Sequence, residues 1–238
     1  MDFEQEKDRR TEWFVPAFGP LKFRILIGLL FLPYTGMVLA FAVIGSMMAE
    51  RIHWDRVGAV LLIYFLALGI GAHALDAVGG KGAKPWAAVF SEKQLWALAV
   101  LALLLAYAVG IYYMVLYTPL LWIIAVLEGF FLLAYNLEWF AGRFHTDAWF
   151  ALSWGSLPVL AGYILQTNRV SLPVLLVAAG TGFLSLVEIK ASRPYKAMKR
   201  ANDGAEPEQI KMLESILKSI SLGTILLGAG LLSWRWMG

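Results

Sequence analysis

Five polar side chains lie within a dozen residues in the middle of the chain, between two strongly apolar stretches. The stretch YNLEWFAGRFHTDAWF contains all of them: Asn136, Glu138, Arg143, His145 and Asp147. Carboxylates and imidazoles can bind a divalent cation or transfer protons, and a guanidinium binds anions. Because a charge inside a bilayer costs at least about 2.5 kcal/mol, such a cluster at the end of an apolar helix predicts a functional site.

A second polar group occurs earlier, in the stretch GIGAHALDAVGGKGAKPW. His73 and Asp76 are three residues apart, so they share one face of a helix. The glycines that follow allow backbone N–H groups to approach an anion, and Lys81 and Lys84 lie beside them. The spacing of a nucleotide-binding P-loop is absent, so this loop does not predict a nucleotide site.

Together the two groups predict a site for a divalent cation and an anionic substrate. The predicted metal ligands are Asp76, Glu138 and Asp147, whose carboxylates favour Mg²⁺. The predicted catalytic residues are His73, Asp76 and His145, with the histidines as general bases or metal ligands. The predicted substrate-binding residues are the polar and basic ones around them: Lys81, Lys84, Asn136, Arg143, Lys190 and Arg193.

Alternatives stay open for several of these residues. Asp147 is also placed to be the N-cap of the next helix, with Thr146 beside it. Glu128 is an intramembrane acid of unknown role, either functional or a protonated glutamate hydrogen-bonded between helices. The aromatic residues of the following helix suit packing or a wall for a polyprenyl tail, and Pro158 should kink that helix.

The hydrophobic content of the chain predicts that transmembrane helices position these residues. The chain has 238 residues, of which 60% are hydrophobic, against about 45–50% in soluble domains. A span needs about 20 apolar residues, and seven stretches are long enough: 21–48, 57–76, 94–117, 119–140, 148–166, 172–189 and 215–236. These features predict an all-α, polytopic transmembrane helix bundle in one domain, 21–238, because helices satisfy their own backbone hydrogen bonds.

The N-terminal tail, residues 1–20, is charged and lacks the cleavage pattern of a secretory signal, so we expect the first apolar run to be retained. Its aromatic residues Trp13, Phe14 and Phe18 predict either an anchor at the lipid headgroups or a simple flanking segment. The only long soluble stretch that we expect is 190–211.

Charge and cysteine content exclude some classes of function. The net charge of +3 comes from basic residues at helix ends, which does not predict nucleic-acid binding. The absence of cysteine excludes disulfides, thiolate metal sites and a cysteine nucleophile. We expect a multi-pass protein of a prokaryotic cell membrane.

The order of these features resembles the intramembrane prenyltransferase superfamily named for the ubiquinone-pathway enzyme UbiA. The segment AHALDAVGG stands where that family has its first aspartate-rich motif, with Asp76 as the central acid and His73 and Gly80 in place of the outer acids. Arg143 stands in the place of a phosphate-binding cation, and SLVEIKASRPYK in the place of the second motif, with Glu188 as its acid. The resemblance implies a helical bundle that binds Mg²⁺ and a prenyl diphosphate.

Three functions follow from these observations. The first is an intramembrane enzyme that acts on a prenyl or other lipid diphosphate, by UbiA-like prenyl transfer with a modified metal site. The second is a non-catalytic membrane subunit or lipid-binding scaffold, with a membrane protein as partner. The third is a transporter, in which Glu128 and helix-breaking glycines line a pathway.

The placement of basic residues predicts the orientation of the chain. With the N-terminus in the cytoplasm, sixteen of the twenty Lys and Arg residues fall on the cytoplasmic side. We therefore expect Ala83→Cys to react with a membrane-impermeant maleimide only in inverted vesicles, and Asn168→Cys only in intact cells. The reverse pattern would contradict this topology, and the cysteine-free parent chain is the control.

Overall fold

The structure is a computed structural model that describes residues 12–79, 89–200 and 207–238. Within these ranges the regular structure is entirely helical, which confirms the predicted all-α class. Beside one short 3₁₀ turn, Phe140–Gly142, the helices of these ranges are α1 (Leu21–Leu29), α2 (Leu32–Met47), α3 (Trp54–Gly79), α4 (Glu92–Leu116), α5 (Leu121–Asn136), α6 (Asp147–Thr167), α7 (Leu172–Arg200) and α8 (Pro207–Met237).

Six helical segments of these ranges are long and apolar enough to cross a membrane. They are α1 with α2 as one segment, and α3, α4, α6, α7 and α8 individually; α5, with 16 residues, is a shorter apolar helix. The chain is thus a multi-pass integral membrane protein. Helices extend into the stretch 190–211 that we expect to be soluble, because α7 continues to Arg200 and α8 begins at Pro207.

The first span is broken near its N-terminal end. Phe31 has a left-handed backbone conformation, with φ of 44°, which ends α1 and starts α2 in a new direction. Pro33 follows in the first turn of α2, where the missing N–H costs no intrahelical bond. This conformation is unfavourable for a bulky residue, yet the Phe31 side chain is buried.

Two spans contain π-helical segments, which often occur at functional sites. Phe65–Ala72 lies within α3 and Ala151–Ser156 within α6. The second segment comes directly before Pro158, which has no N–H to donate to the carbonyl four residues earlier. The irregularity that the sequence predicted at this proline therefore takes the form of a wider helical turn before it.

The N-terminal segment packs against the bundle. Phe14 is buried, and its ring lies 4.8 Å from the ring of Phe31 and 5.7 Å from that of Tyr34. The backbone N–H of Trp13 donates to the hydroxyl of Tyr195 at 3.1 Å. Phe14 thus packs against the protein, whereas Phe18 remains 74% exposed, and the anchor at the headgroups stays a prediction.

Glycines set the closest contacts between helices. A Cβ atom at Gly45 of α2 would overlap the carbonyl oxygen of Val159 of α6, and one at Gly162 of α6 would overlap that of Ala42 of α2. The two backbones therefore touch along this line. Small residues at such contacts are the usual basis of helix association in lipid, where the hydrophobic effect gives little attraction between helices.

A side chain at this contact should destabilise the bundle. We expect Gly162→Ala to lower the free energy of unfolding by about 1–3 kcal/mol, because the added carbon forces the two backbones apart. The matched control is Gly180→Ala in α7, where a Cβ would meet no atom within 4 Å. Thermal unfolding in detergent, followed by circular dichroism, measures both; equal midpoints for the two variants would contradict the contact.

Candidate functional site

A polar cavity of about 280 Å³ lies at the end of the bundle where α2 and α6 begin and where α3 and α5 end. The C-terminal half of α7 forms its remaining wall. Its ionisable and amide residues are His73, Asp76, Asn136, His145, Glu188, Arg193 and Lys196. Two groups that lie about sixty residues apart in the sequence thus face one cavity, as predicted from their position at the same end of the bundle.

His145 has a defined orientation in this cavity. Its Nδ1 lies 3.0 Å from the carbonyl oxygen of Tyr135, and its ring stacks on the Tyr135 ring at 4.3 Å. A carbonyl oxygen only accepts hydrogen bonds, so the geometry assigns the proton to Nδ1. In the neutral ring Nε2 then carries a lone pair, which is the form required of a general base.

Arg193 of α7 connects three elements around the cavity. Its Nη1 pairs with Asp147 Oδ1 at 2.9 Å, and its Nη2 donates to the Tyr135 hydroxyl and to the His145 carbonyl at 3.4 and 3.3 Å. Both side chains of the ion pair are partly exposed, so its contribution to stability is at most about 1 kcal/mol. Its main effect is to fix the loop before α6 against α7.

His73 is the more deeply buried histidine, with 8% of its surface exposed. Its ring stacks on Phe31 at 4.5 Å and lies 5.2 Å from Trp154, and its Nε2 lies 3.5 Å from the hydroxyl oxygen of Thr35. Asp76, one turn further along α3, lines the same cavity. The predicted shared face of these two residues is therefore present.

Two ionisable residues of the cavity were not among the predicted site residues. Glu188 is buried and Lys196 extends over the rings of Phe31 and Tyr34, with Nζ at 4.8 and 5.5 Å from their centroids. With Ser192 they form an i, i+4, i+8 series on one face of α7. The spacing is visible in the sequence. However, the predicted span 172–189 contains only Glu188, and the other two residues fall in the stretch 190–211 that we expect to be soluble.

The other predicted residues are more dispersed. Asn136 lines the cavity, and its side-chain amide donates to the Leu132 carbonyl at 2.7 Å. Glu138 follows α5 and is not part of the wall; Arg143 and Lys190 are exposed and also lie outside it. Lys81 and Lys84 fall outside the residues that the structure describes.

The predicted magnesium ligands do not converge. Asp76 lines the cavity, Glu138 does not, and Asp147 is engaged by Arg193. In the ranges 12–79, 89–200 and 207–238, no group of three or more His, Asp or Glu side chains could hold a metal ion. Magnesium binding by Asp76, Glu138 and Asp147 therefore stays a prediction.

The loop between α5 and α6 has a strained backbone. Glu138, Phe140 and Ala141 all have left-handed backbones, with φ of 51°, 55° and 57°. Each such conformation costs about 1–3 kcal/mol for a residue other than glycine, and such strain often occurs at functional sites.

Thr146 accepts a hydrogen bond from the N–H of Trp149 at 3.4 Å, so Thr146 is the N-cap of α6 and the alternative role of Asp147 as N-cap is wrong.

Comparisons of the chain with protein-family models, with curated proteins and with solved structures give no match. The resemblance to the UbiA-like superfamily therefore stays a prediction from the sequence.

The strain in the loop predicts an effect of glycine. We expect Ala141→Gly to raise the free energy of unfolding by about 1 kcal/mol, because glycine adopts a left-handed backbone without steric cost. Ala148→Gly, at an exposed helical position in the first turn of α6, should lower it by about 0.5–1 kcal/mol. Denaturant titration of both variants measures the difference; destabilisation by Ala141→Gly would argue against the left-handed conformation.

Proposed function

We propose that this protein is an intramembrane enzyme that binds a lipid with an anionic head in the polar cavity, a prenyl diphosphate being the class that the sequence resemblance implies. The observation that supports it is the combination of two cationic, two acidic, two imidazole and several aromatic groups around one cavity at the end of a transmembrane bundle. Groups of this kind at membrane depth are costly, so they favour a functional role.

The α7 wall supplies the contacts for the head. Lys196 carries an ammonium group that lies over two aromatic rings, which favours its extended position. Arg193 contributes a guanidinium whose charge is partly neutralised by Asp147. A phosphate group in the cavity would accept charge-assisted hydrogen bonds from these cations and a hydrogen bond from Ser192, which also lines it.

The α6 wall suits an apolar chain, and His145 before it suits a proton transfer. Phe150 and Trp154 are buried and stack on each other at 5.2 Å, which gives a flat apolar surface next to His73. The lone pair of His145 Nε2 is the proposed general base for the acceptor that attacks the lipid. The cations of α7 would stabilise the negative charge that grows on the departing head.

A lipid-binding scaffold is the second candidate. It is favoured by the ion pair between Asp147 and Arg193, which occupies both a predicted metal ligand and a cation of the site. Both candidates bind a lipid in the polar cavity, but only the enzyme converts it to a product. An assay for product therefore separates them.

The test compares two lysines of α7. We expect Lys196→Gln to weaken binding of farnesyl diphosphate about tenfold, because it removes one charge-assisted hydrogen bond. Lys190→Gln makes the same charge change at an exposed position outside the cavity and should leave affinity unchanged. Calorimetry on purified protein, with magnesium and with a chelator, measures both; equal loss in the two variants would contradict head binding in this cavity.

Release of diphosphate decides between enzyme and scaffold. With farnesyl diphosphate and a lipid extract as the source of acceptor, we expect the wild type to release diphosphate and His145→Gln to bind but release none. Binding without release in the wild type would favour the scaffold.

A further inference from the structure

A second cavity lies within the membrane-spanning part of the bundle, away from the polar cavity. It has a volume of about 70 Å³ and lies between α3, α4, α5 and α6. Its lining is apolar apart from two tyrosines and the carboxyl group of Glu128. The two cavities share no lining residue.

The carboxyl group of Glu128 is only half satisfied. Its Oε1 accepts a hydrogen bond from the Tyr64 hydroxyl at 2.9 Å, which links α5 to α3. Its Oε2 is buried and has no hydrogen-bond partner among the residues that the structure describes. A buried polar atom without a partner costs about 1–3 kcal/mol, so a ligand that satisfies it would bind here favourably.

Water is a poor occupant of this cavity. A buried water molecule needs two to four polar partners. The hydroxyl of Tyr64 donates to Glu128 and that of Tyr107 donates to the Ala125 carbonyl, each at 2.9 Å, so both can only accept a further hydrogen bond. The volume would hold several waters, but the polar side chains of the described lining are only these two tyrosines and Glu128, whose Oε2 is the atom without a partner.

The cavity is reached from the side of the bundle. Contacts between α4 and α5 are sparse, and the residues at this edge, Tyr107, Ala125 and Gly129, keep part of their surface exposed. That edge faces the hydrocarbon region, because α4 and α5 are apolar helices with their outer faces exposed. An apolar molecule can therefore enter from the lipid.

We propose that this cavity binds the hydroxyl-bearing end of an apolar alcohol, with the hydroxyl on Glu128 Oε2 and the chain extending between α4 and α5 into the bilayer. A hydroxyl group donates a hydrogen bond to Oε2 and can accept one in return, whereas an ether oxygen only accepts. The volume accommodates the hydroxyl and the first few carbons of a chain. Isoprenoid alcohols and straight-chain fatty alcohols share this chemistry.

Photolabelling of the full chain in lipid nanodiscs tests the site. The probe is a C15 alcohol with a diazirine on its second carbon, and the control probe is its methyl ether, which cannot donate. We expect the alcohol to label residues of the cavity, such as Met114 or Leu132, at least tenfold more than the ether does. Excess farnesol and excess hexadecanol, added separately, identify the source by which of them competes.

Variants of the carboxyl group complete the test. Glu128→Leu should reduce labelling by the alcohol at least tenfold, while Glu128→Gln, which keeps an acceptor and a donor, should retain it within threefold. Lys196→Gln, which lies in the polar cavity, should not change labelling at the Glu128 cavity. The two proposals can therefore fail independently. Equal labelling by alcohol and ether, equal labelling of wild type and Glu128→Leu, or competition by neither alcohol would each overturn the proposal.

Discussion

Close contact between helix backbones is the constraint on which the rest of this structure depends. Lipid tails are as apolar as leucine, so helices in a bilayer associate through packing and hydrogen bonds. Gly45 and Gly162 let α2 and α6 meet where a side chain would overlap backbone atoms. In each of the two spans that contain these glycines, 67% of the residues in an 18-residue apolar stretch are buried. This is the largest share among the six spanning segments of the described ranges. The helices α3, α5, α7 and α8 pack against this pair, and α4 packs mainly on α3.

The same kind of contact shapes the polar cavity. A Cβ atom at Gly79 would overlap the carbonyl oxygen of Asn136, so the end of α3 touches the end of α5. A Cβ atom at Gly155 would approach the carbonyl oxygen of Thr181, which brings the π segment of α6 against α7. Polar side chains that would otherwise face lipid therefore face one another across the cavity, and the ion pair between Arg193 and Asp147 spans its rim.

Much of the fold, and part of the site, follows from local sequence. Apolar runs of the length of a bilayer predicted the spans, and the three-residue spacing of His73 and Asp76 predicted their common face. The continuation of α7 could not be predicted, because Pro194 and the charges around it also suit a loop; as a result Glu188 and Lys196 were not recognised as neighbours in one cavity. The strained loop after α5 depends on tertiary contacts, which no local pattern encodes.

A structure with a bound lipid analogue tests the central claim most directly. The measurement is an electron cryomicroscopy map of the protein in nanodiscs, with a binding partner attached to increase its size and with farnesyl thiodiphosphate present. We expect density for the two phosphates within hydrogen-bonding distance of Lys196 Nζ and an extended chain against Phe150 and Trp154. A map of equal quality in which this cavity holds only water, or in which the phosphates lie elsewhere, would contradict the proposed site.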